Sequence, residues 1–204
     1  MTGTSKTATA EKLAVHRPAL HHVNLKTTRL QEMIDWYGTV MGMEISHQYP
    51  GGAWLTNDKA NHRVALLTTP GMRDDPDKVT HTGIHHTAFE YDHLGQLLET
   101  WARLREADIL PHGCLDHGMT MSFYYLDPDG NSVELQADNF GDWDKSRAFM
   151  LSDPQFADNP IGVPLDPAKL YAAYQQGAGA EELHRRAYAD EFKLETPIDL
   201  RLPL

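Results

Sequence analysis

The stretches ALHHVNLKT (residues 19–27) and GIHHTAFEY (residues 83–91) decide the fold, because the second repeats the first. Leu20, His21, His22 and Leu25 return at an offset of 64 as Ile84, His85, His86 and Phe89. The register continues outward. Leu30, Met33, Ile34 and Tyr37 have the i, i+3, i+4, i+7 spacing of an amphipathic helix, and the same offset gives Leu94, Leu97, Leu98 and Trp101. Thr28 with Gln31 resembles a capping box for the first helix, and Asp92 is placed to cap the second. The match still holds at Ile45 and Ile109, where each copy enters a new strand. A repeat of this length governs every later assignment.

Three β-leaning stretches follow each helix: MEISHQYP, GGAWLTND and HRVALLTT in the first copy, then ILPHGCLD, MTMSFYYLD and NSVELQA in the second. Each copy therefore reads βαβββ. Asp127-Pro128-Asp129-Gly130-Asn131 is hairpin chemistry, with proline presetting one φ and Gly130 free to take a positive one. The expected class is α+β: two tandem modules, 19–69 and 82–138, pair into one cleft-forming domain. A polar linker, PGMRDDPDKVTHT, joins them. Residues 1–18 are expected to form a flexible arm and residues 139–204 a helical extension. Its helices are expected near 142–151, 167–176 and 179–190, broken by Pro154, Pro160, Pro164 and Gly177.

Composition narrows the function classes. Of 204 residues, 41% are hydrophobic and 23% charged, which suits a globular chain with a real core. No apolar run approaches the roughly 20 residues that span a bilayer, and the N-terminus lacks a signal-peptide core. A cytoplasmic protein without membrane contact is expected. A formal charge of −11 has the wrong sign for a phosphate-backbone binder, so nucleic acid is not an expected partner. The single cysteine, Cys114, excludes an internal disulfide and a cysteine-built metal cluster. Twelve histidines leave His and carboxylate as the available ligands.

Strand alternation suggests which of them converge. Two sheets, each covered by a helix on one face, leave a cleft between their open faces. Val23 and Leu25 mark the helix side of the first strand and place His22 in the cleft; Phe89 does the same for His86. On the last strand Glu134 shares a face with Ser132 and Gln136 rather than with Val133 and Leu135. Two histidines and one carboxylate with open positions suit Fe(II) binding a chelating substrate together with dioxygen, and zinc accepts the same set. Ordinary strand histidines beside a surface glutamate are the plain alternative.

The paired βαβββ copies, with LHHVNL, IHHTAFE and HGMTMSFYYLDPDGNSVEL, resemble the vicinal oxygen chelate superfamily over residues 19–138. That superfamily includes glyoxalases, bleomycin resistance proteins and type I extradiol dioxygenases. Within it the chain looks most like the extradiol ring-cleaving enzymes, in a short form with one pair of modules. The resemblance implies metal ligands His22, His86 and Glu134, with Fe(II), or Mn(II) in its place, as cofactor. It also implies His62 as an acid-base residue and His117 with Tyr124 as a substrate-orienting pair, His112 competing with His117 for that place. Glyoxalase-like members offer a further ligand on the fourth strand, usually glutamate. Residues 59–73 contain no carboxylate, which favours the oxygenase over a metal-dependent isomerase or lyase. A non-catalytic binding protein is the third reading.

The implied activity is opening of a catechol-type diol by dioxygen beside its two hydroxyls, the diol carrying a ring or alkyl substituent, in a homo-oligomer. His21 and His85 are expected to support the ligands beside them. His16, His47, His93 and His184 read as solvated. Trp143, Phe149, Met150 and Phe156 suit either a lid or an oligomer contact.

Overall fold

The computed structural model describes residues 15–203, so most of the expected N-terminal arm lies outside the described residues. Both modules have the expected element order. The first runs β1 (Val23–Lys26), α1 (Leu30–Met41), β2 (Glu44–Tyr49), β3 (Gly52–Thr56) and β4 (Val64–Leu67). The second runs β5 (His86–Tyr91), α2 (Leu94–Glu106), β6 (Gly113–Asp116), β7 (Thr120–Leu126) and β8 (Ser132–Asp138). Each first strand pairs parallel with its module's last strand, Leu25 opposite Leu66 and Phe89 opposite Leu135. The sheet orders are β1-β4-β3-β2 and β5-β8-β7-β6, the latter extended by one strand from the tail.

The helical stripes behave as their spacing requires. Met33, Ile34, Tyr37 and Val40 are buried against β3 and β4, and Leu94, Leu97, Leu98, Trp101 and Leu104 against β8. Both expected caps are corrected. Arg29, not Thr28, is the N-cap of α1 and makes no side-chain cap bond; the Thr28 hydroxyl instead donates to Asp74. Thr27 accepts from the Arg29 backbone N–H, and Gln31 turns along the helix to Asp35. His93 is the N-cap of α2, while the Gln96 side chain reaches back to the Asp92 N–H. Polar residues cluster before each helix, and before α1 the linker's Asp74 draws Thr28 and Arg29 away from the helix end.

The modules are joined by specific polar contacts. Arg29 pairs with both Asp74 and Asp129, tying the start of α1 to the linker and to the β7–β8 turn. Tyr37 donates to Asp127 at 3.3 Å, and Arg103 donates to the carbonyls of Thr39 and Val40 at the end of α1. Gly130 takes φ 73° in the turn, as expected.

The tail is more than the expected helices. α3 (Trp143–Ser152) is followed by α4 (Pro154–Asp158), where Pro154 occupies the first turn and Asp153 caps it, so this proline starts a helix rather than ending one. A two-residue strand, β9 (Val163–Pro164), then covers the β6 edge. Gly162 leads into it at φ 86°, where a Cβ would lie 2.0 Å from the Asp116 carbonyl oxygen; only glycine fits this approach. α5 (Pro167–Gln175) and α6 (Ala180–Tyr188) bury Leu170, Ala173, Leu183 and Ala187, and Phe192 after them is also buried. Since these belong to the core, truncation after Asp138 is expected to lower the melting temperature and reduce soluble yield as well as activity. A truncated chain with the full-length melting temperature would contradict this. No helix among the described residues is long and apolar enough to cross a membrane.

Candidate active site

The register of the second sheet builds the site. Tyr124 lies opposite Glu134, Gly113 opposite Tyr124 and His86 opposite Ser132. These residues therefore share the face turned away from α2, while Phe123, Tyr125, Val133 and Leu135 fill the core. Glu134 and Tyr124 are nonetheless buried, because the tail covers this second face.

A chain of hydrogen bonds crosses the face. The His86 Nε2 and Glu134 Oε2 atoms are 3.0 Å apart, the Tyr124 hydroxyl donates to Glu134 Oε1 at 2.9 Å, and His117 Nε2 lies 2.8 Å from the same hydroxyl. His117 Nδ1 donates to the Ile161 carbonyl at 2.6 Å, which fixes the ring from the tail side. Electrostatics follow from these contacts. The Glu134 carboxylate raises the His86 imidazole above its ordinary value. Burial opposes ionisation of Glu134 most strongly, yet bonds from His86, Ser122 and Tyr124 outweigh it and hold the carboxyl below the usual range. Burial, then the Glu134 charge, pushes the Tyr124 phenol far up, so it stays a hydrogen-bond donor.

A second group of candidates gathers in the first module. One donor atom from each of His21, His22 and His62 lies within 4.8 Å of the others. The His22 and His62 rings are 4.3 Å apart between centroids. Burial and then the neighbouring His22 and His21 lower the His62 imidazole. His22, His86 and Glu134 are not drawn together within that same 4.8 Å, so the structure presents two of the three expected ligands as a contacting pair and the third beside His62. As a donor set they fit a metal. Two ligands at about 2.1 Å and right angles on one ion stand about 3 Å apart, which is the His86–Glu134 spacing.

Against this geometry the comparisons are decisive. The model of the Glyoxalase/Bleomycin resistance protein/Dioxygenase superfamily matches residues 19–135. The chain belongs to this superfamily. It is 40% identical to "Biphenyl-2,3-diol 1,2-dioxygenase 2" from Rhodococcus globerulus over 92% of this chain and 95% of that protein. It is 39% identical to "Biphenyl-2,3-diol 1,2-dioxygenase 3" from the same organism, over 84% and 90% respectively. A glyoxalase/dioxygenase crystal structure from Nostoc punctiforme shares the fold at 20% identity, with a TM-score of 0.52 over 63% of this chain and 99% of that one.

In this superfamily member the site opens into a pocket of about 240 Å³ beside His86, His117 and Tyr124. Leu115 comes from the sheet, whereas Ile161, Ile198, Leu200 and Leu202 come from the tail. The tail thus supplies part of the pocket wall. Trp143 and Met150, the aromatic and apolar candidates for a lid, are exposed instead; Trp143 donates to Glu90, and Phe149 packs between Phe140 and Phe156. His112 lines the same pocket, with Nε2 3.0 Å from the Ser132 hydroxyl and Nδ1 donating to the Asp199 carbonyl.

Sequence reading placed His184 in solvent, and the structure corrects this. Its Nδ1 lies 2.7 Å from the fully buried Asp116 carboxylate, which also accepts from Asn139 Nδ2 and the Gly118 N–H. The signal was present: His184 and Tyr188 stand i, i+4 beside the buried Leu183 and Ala187. This network anchors α6 to the turn that carries His117. Asp116→Ala takes the shared acceptor from three donors, of which Asn139 Nδ2 keeps the Gly118 carbonyl, and should cost about 3–5 kcal/mol, read as a melting temperature lower by roughly 10 °C. A shift under about 2 °C would mean that water replaces the carboxylate at no cost.

Proposed function

We propose that the chain is an extradiol ring-cleaving dioxygenase that opens a catechol-type diol with dioxygen, at Fe(II) held by His22, His86 and Glu134, with Mn(II) the alternative ion. The observation that carries this reading is the bonded row His117–Tyr124–Glu134–His86 beside an apolar pocket. The names of the two Rhodococcus relatives support a diol substrate, and the apolar wall suits a ring or alkyl substituent on it. The same reading keeps 19–138 as the catalytic domain and 139–204 as its extension, and expects a homo-oligomer in the cytoplasm.

Bound iron supplies Lewis acidity that favours the diol anion, together with a redox couple for dioxygen. The remaining steps belong to the chain. Tyr124, kept protonated, turns its single O–H from Glu134 to a substrate oxygen arriving beside it. His117, held through Nδ1 by Ile161, presents Nε2 to the same region and steadies the protonation of that oxygen. His62, lowered by burial, is neutral near pH 7 and accepts a proton at a ring nitrogen. The apolar wall excludes water and orients the ring, converting encounter into proximity.

Turnover should therefore require dioxygen and both hydroxyls, since chelation uses both oxygens. A screen of catechols against the iron-loaded protein, following the yellow ring-opened product, should give activity that disappears on methylating either hydroxyl. Equal turnover of a monomethylated catechol, or turnover without oxygen, would move the protein to the isomerase or lyase reactions of its superfamily.

A further inference from the structure

The repeat places a pair of adjacent histidines at the start of each module, and the two pairs are built alike. His21 Nδ1 lies 3.1 Å from His22 Nδ1, and His85 Nδ1 lies 2.9 Å from His86 Nδ1. They differ at the far side of the first ring. His85 Nε2 lies 2.9 Å from the Leu200 carbonyl, at a separation of 115 residues. In the first module the corresponding anchor is on the backbone, where Arg63 donates to the His21 carbonyl.

The direction of each bond in the second pair follows from elementary chemistry. A carbonyl oxygen only accepts, so His85 Nε2 carries the hydrogen of that bond. The neutral ring has one such hydrogen, so His85 Nδ1 is bare and accepts from His86 Nδ1–H. With Nδ1 so committed, His86 Nε2 is the ring atom left facing Glu134 Oε2, at 3.0 Å. A proton holds these two atoms together when no metal is bound, and a metal ion would displace it.

We propose that His85 is a positioning residue which, fixed by the Leu200 carbonyl, holds His86 in the Nδ1–H tautomer and turns Nε2 into the donor atom for the metal. The segment around residues 198–202 thereby has two tasks. It walls the pocket with Ile198, Leu200 and Leu202, and it sets a ligand from the side opposite the ion. Its own hold on the sheet is a reciprocal pair: His112 Nδ1 donates to the Asp199 carbonyl, and the Asp199 N–H donates to the His112 carbonyl. Substrate contact and ligand geometry are therefore joined through one short stretch of chain. The inference rests on the reading of His86 as a ligand.

Three full-length variants and one spectrum test it. In His85→Phe the ring volume remains but the acceptor and the donor are gone; Fe(II) affinity, measured by competition with a chelator, should fall about 10- to 100-fold, the usual worth of a partner behind a metal-bound histidine. In His85→Gln the amide can accept from His86 and donate to Leu200, so affinity should return most of the way. Long-range nitrogen–proton spectra of the metal-free wild type should show His86 protonated at Nδ1, a readout that needs no variant to fold. Wild-type affinity in His85→Phe, no recovery in His85→Gln, or a His86 ring without a hydrogen on Nδ1 would each overturn the proposal. His86→Ala separates the two possible failures: if it keeps Fe(II), the ligand reading itself is wrong; if it loses Fe(II) while His85→Phe does not, only the positioning role falls.

Discussion

Replacing any one of His22, His86 and Glu134 by alanine is expected to reduce bound Fe(II) from one per chain to none, with turnover lost in parallel. Two protein nitrogens and one carboxylate are the least that hold such an ion while leaving room for a chelating diol and dioxygen, so no ligand is redundant. The buried Glu134 is the most sensitive of the three. Its carboxyl is kept ionised by His86, Ser122 and Tyr124 in a site covered by the tail, and Glu134→Ala removes the only anion of that row. Glu134→Gln distinguishes charge from packing, because it keeps the shape and a hydrogen-bond acceptor for Tyr124 but not the negative charge. Metal analysis of the purified variants checks the expectation. Unchanged iron in all three would sink the assignment; loss in only two would point to His21, which stands within reach of His22 and His62.

His62→Ala should have a different signature. Iron content and catechol affinity are expected to stay near wild type while turnover slows by about 10²-fold or more, the usual contribution of a placed acid-base group. The structure favours this over a purely local role. The turn before β4 is held without the His62 side chain: Arg63 binds Asp58 through two nitrogens, Asp58 accepts from the Ala60 N–H, and Thr56 donates to the Ala60 carbonyl. His62 faces His22 and His21 instead. Iron content, diol affinity and rate measured on one preparation decide the matter. A normal rate per folded molecule would remove His62 from the chemistry, and lost iron would place it among the ligands.

Much of this site could be read from the chain because its signals are local and periodic. The 64-residue offset put His22 and His86 at equivalent places in the two modules, although β1 begins one residue after His22 and β5 at His86; period-two alternation put Glu134 on the face away from Val133 and Leu135, where the structure has it. The hairpin at Asp127–Asn131 and both helical stripes are likewise short-range consequences of residue type and spacing. The caps were less legible: a tertiary contact with Asp74 takes the Thr28 hydroxyl, and at Asp92 the backbone N–H rather than the side chain is engaged, by Gln96.

What only the tertiary structure decided is which partners meet across long stretches of chain. His184 meets Asp116 across 68 residues, and His85 meets Leu200 across 115. Neither pairing leaves a trace in the residues between them, because a packed tail can approach a sheet face at any sequence distance. The same holds for the pocket: Ile161, Ile198, Leu200 and Leu202 read as unremarkable apolar residues of a tail until that tail folds over β6 and β7. The repeat alone determined a two-module scaffold with His86 and Glu134 on one strand face and His22 immediately before β1. The docking of the tail, driven by burial of Leu165, Leu170, Leu183 and Phe192, decided which face became a dry pocket and which donor atoms point into it.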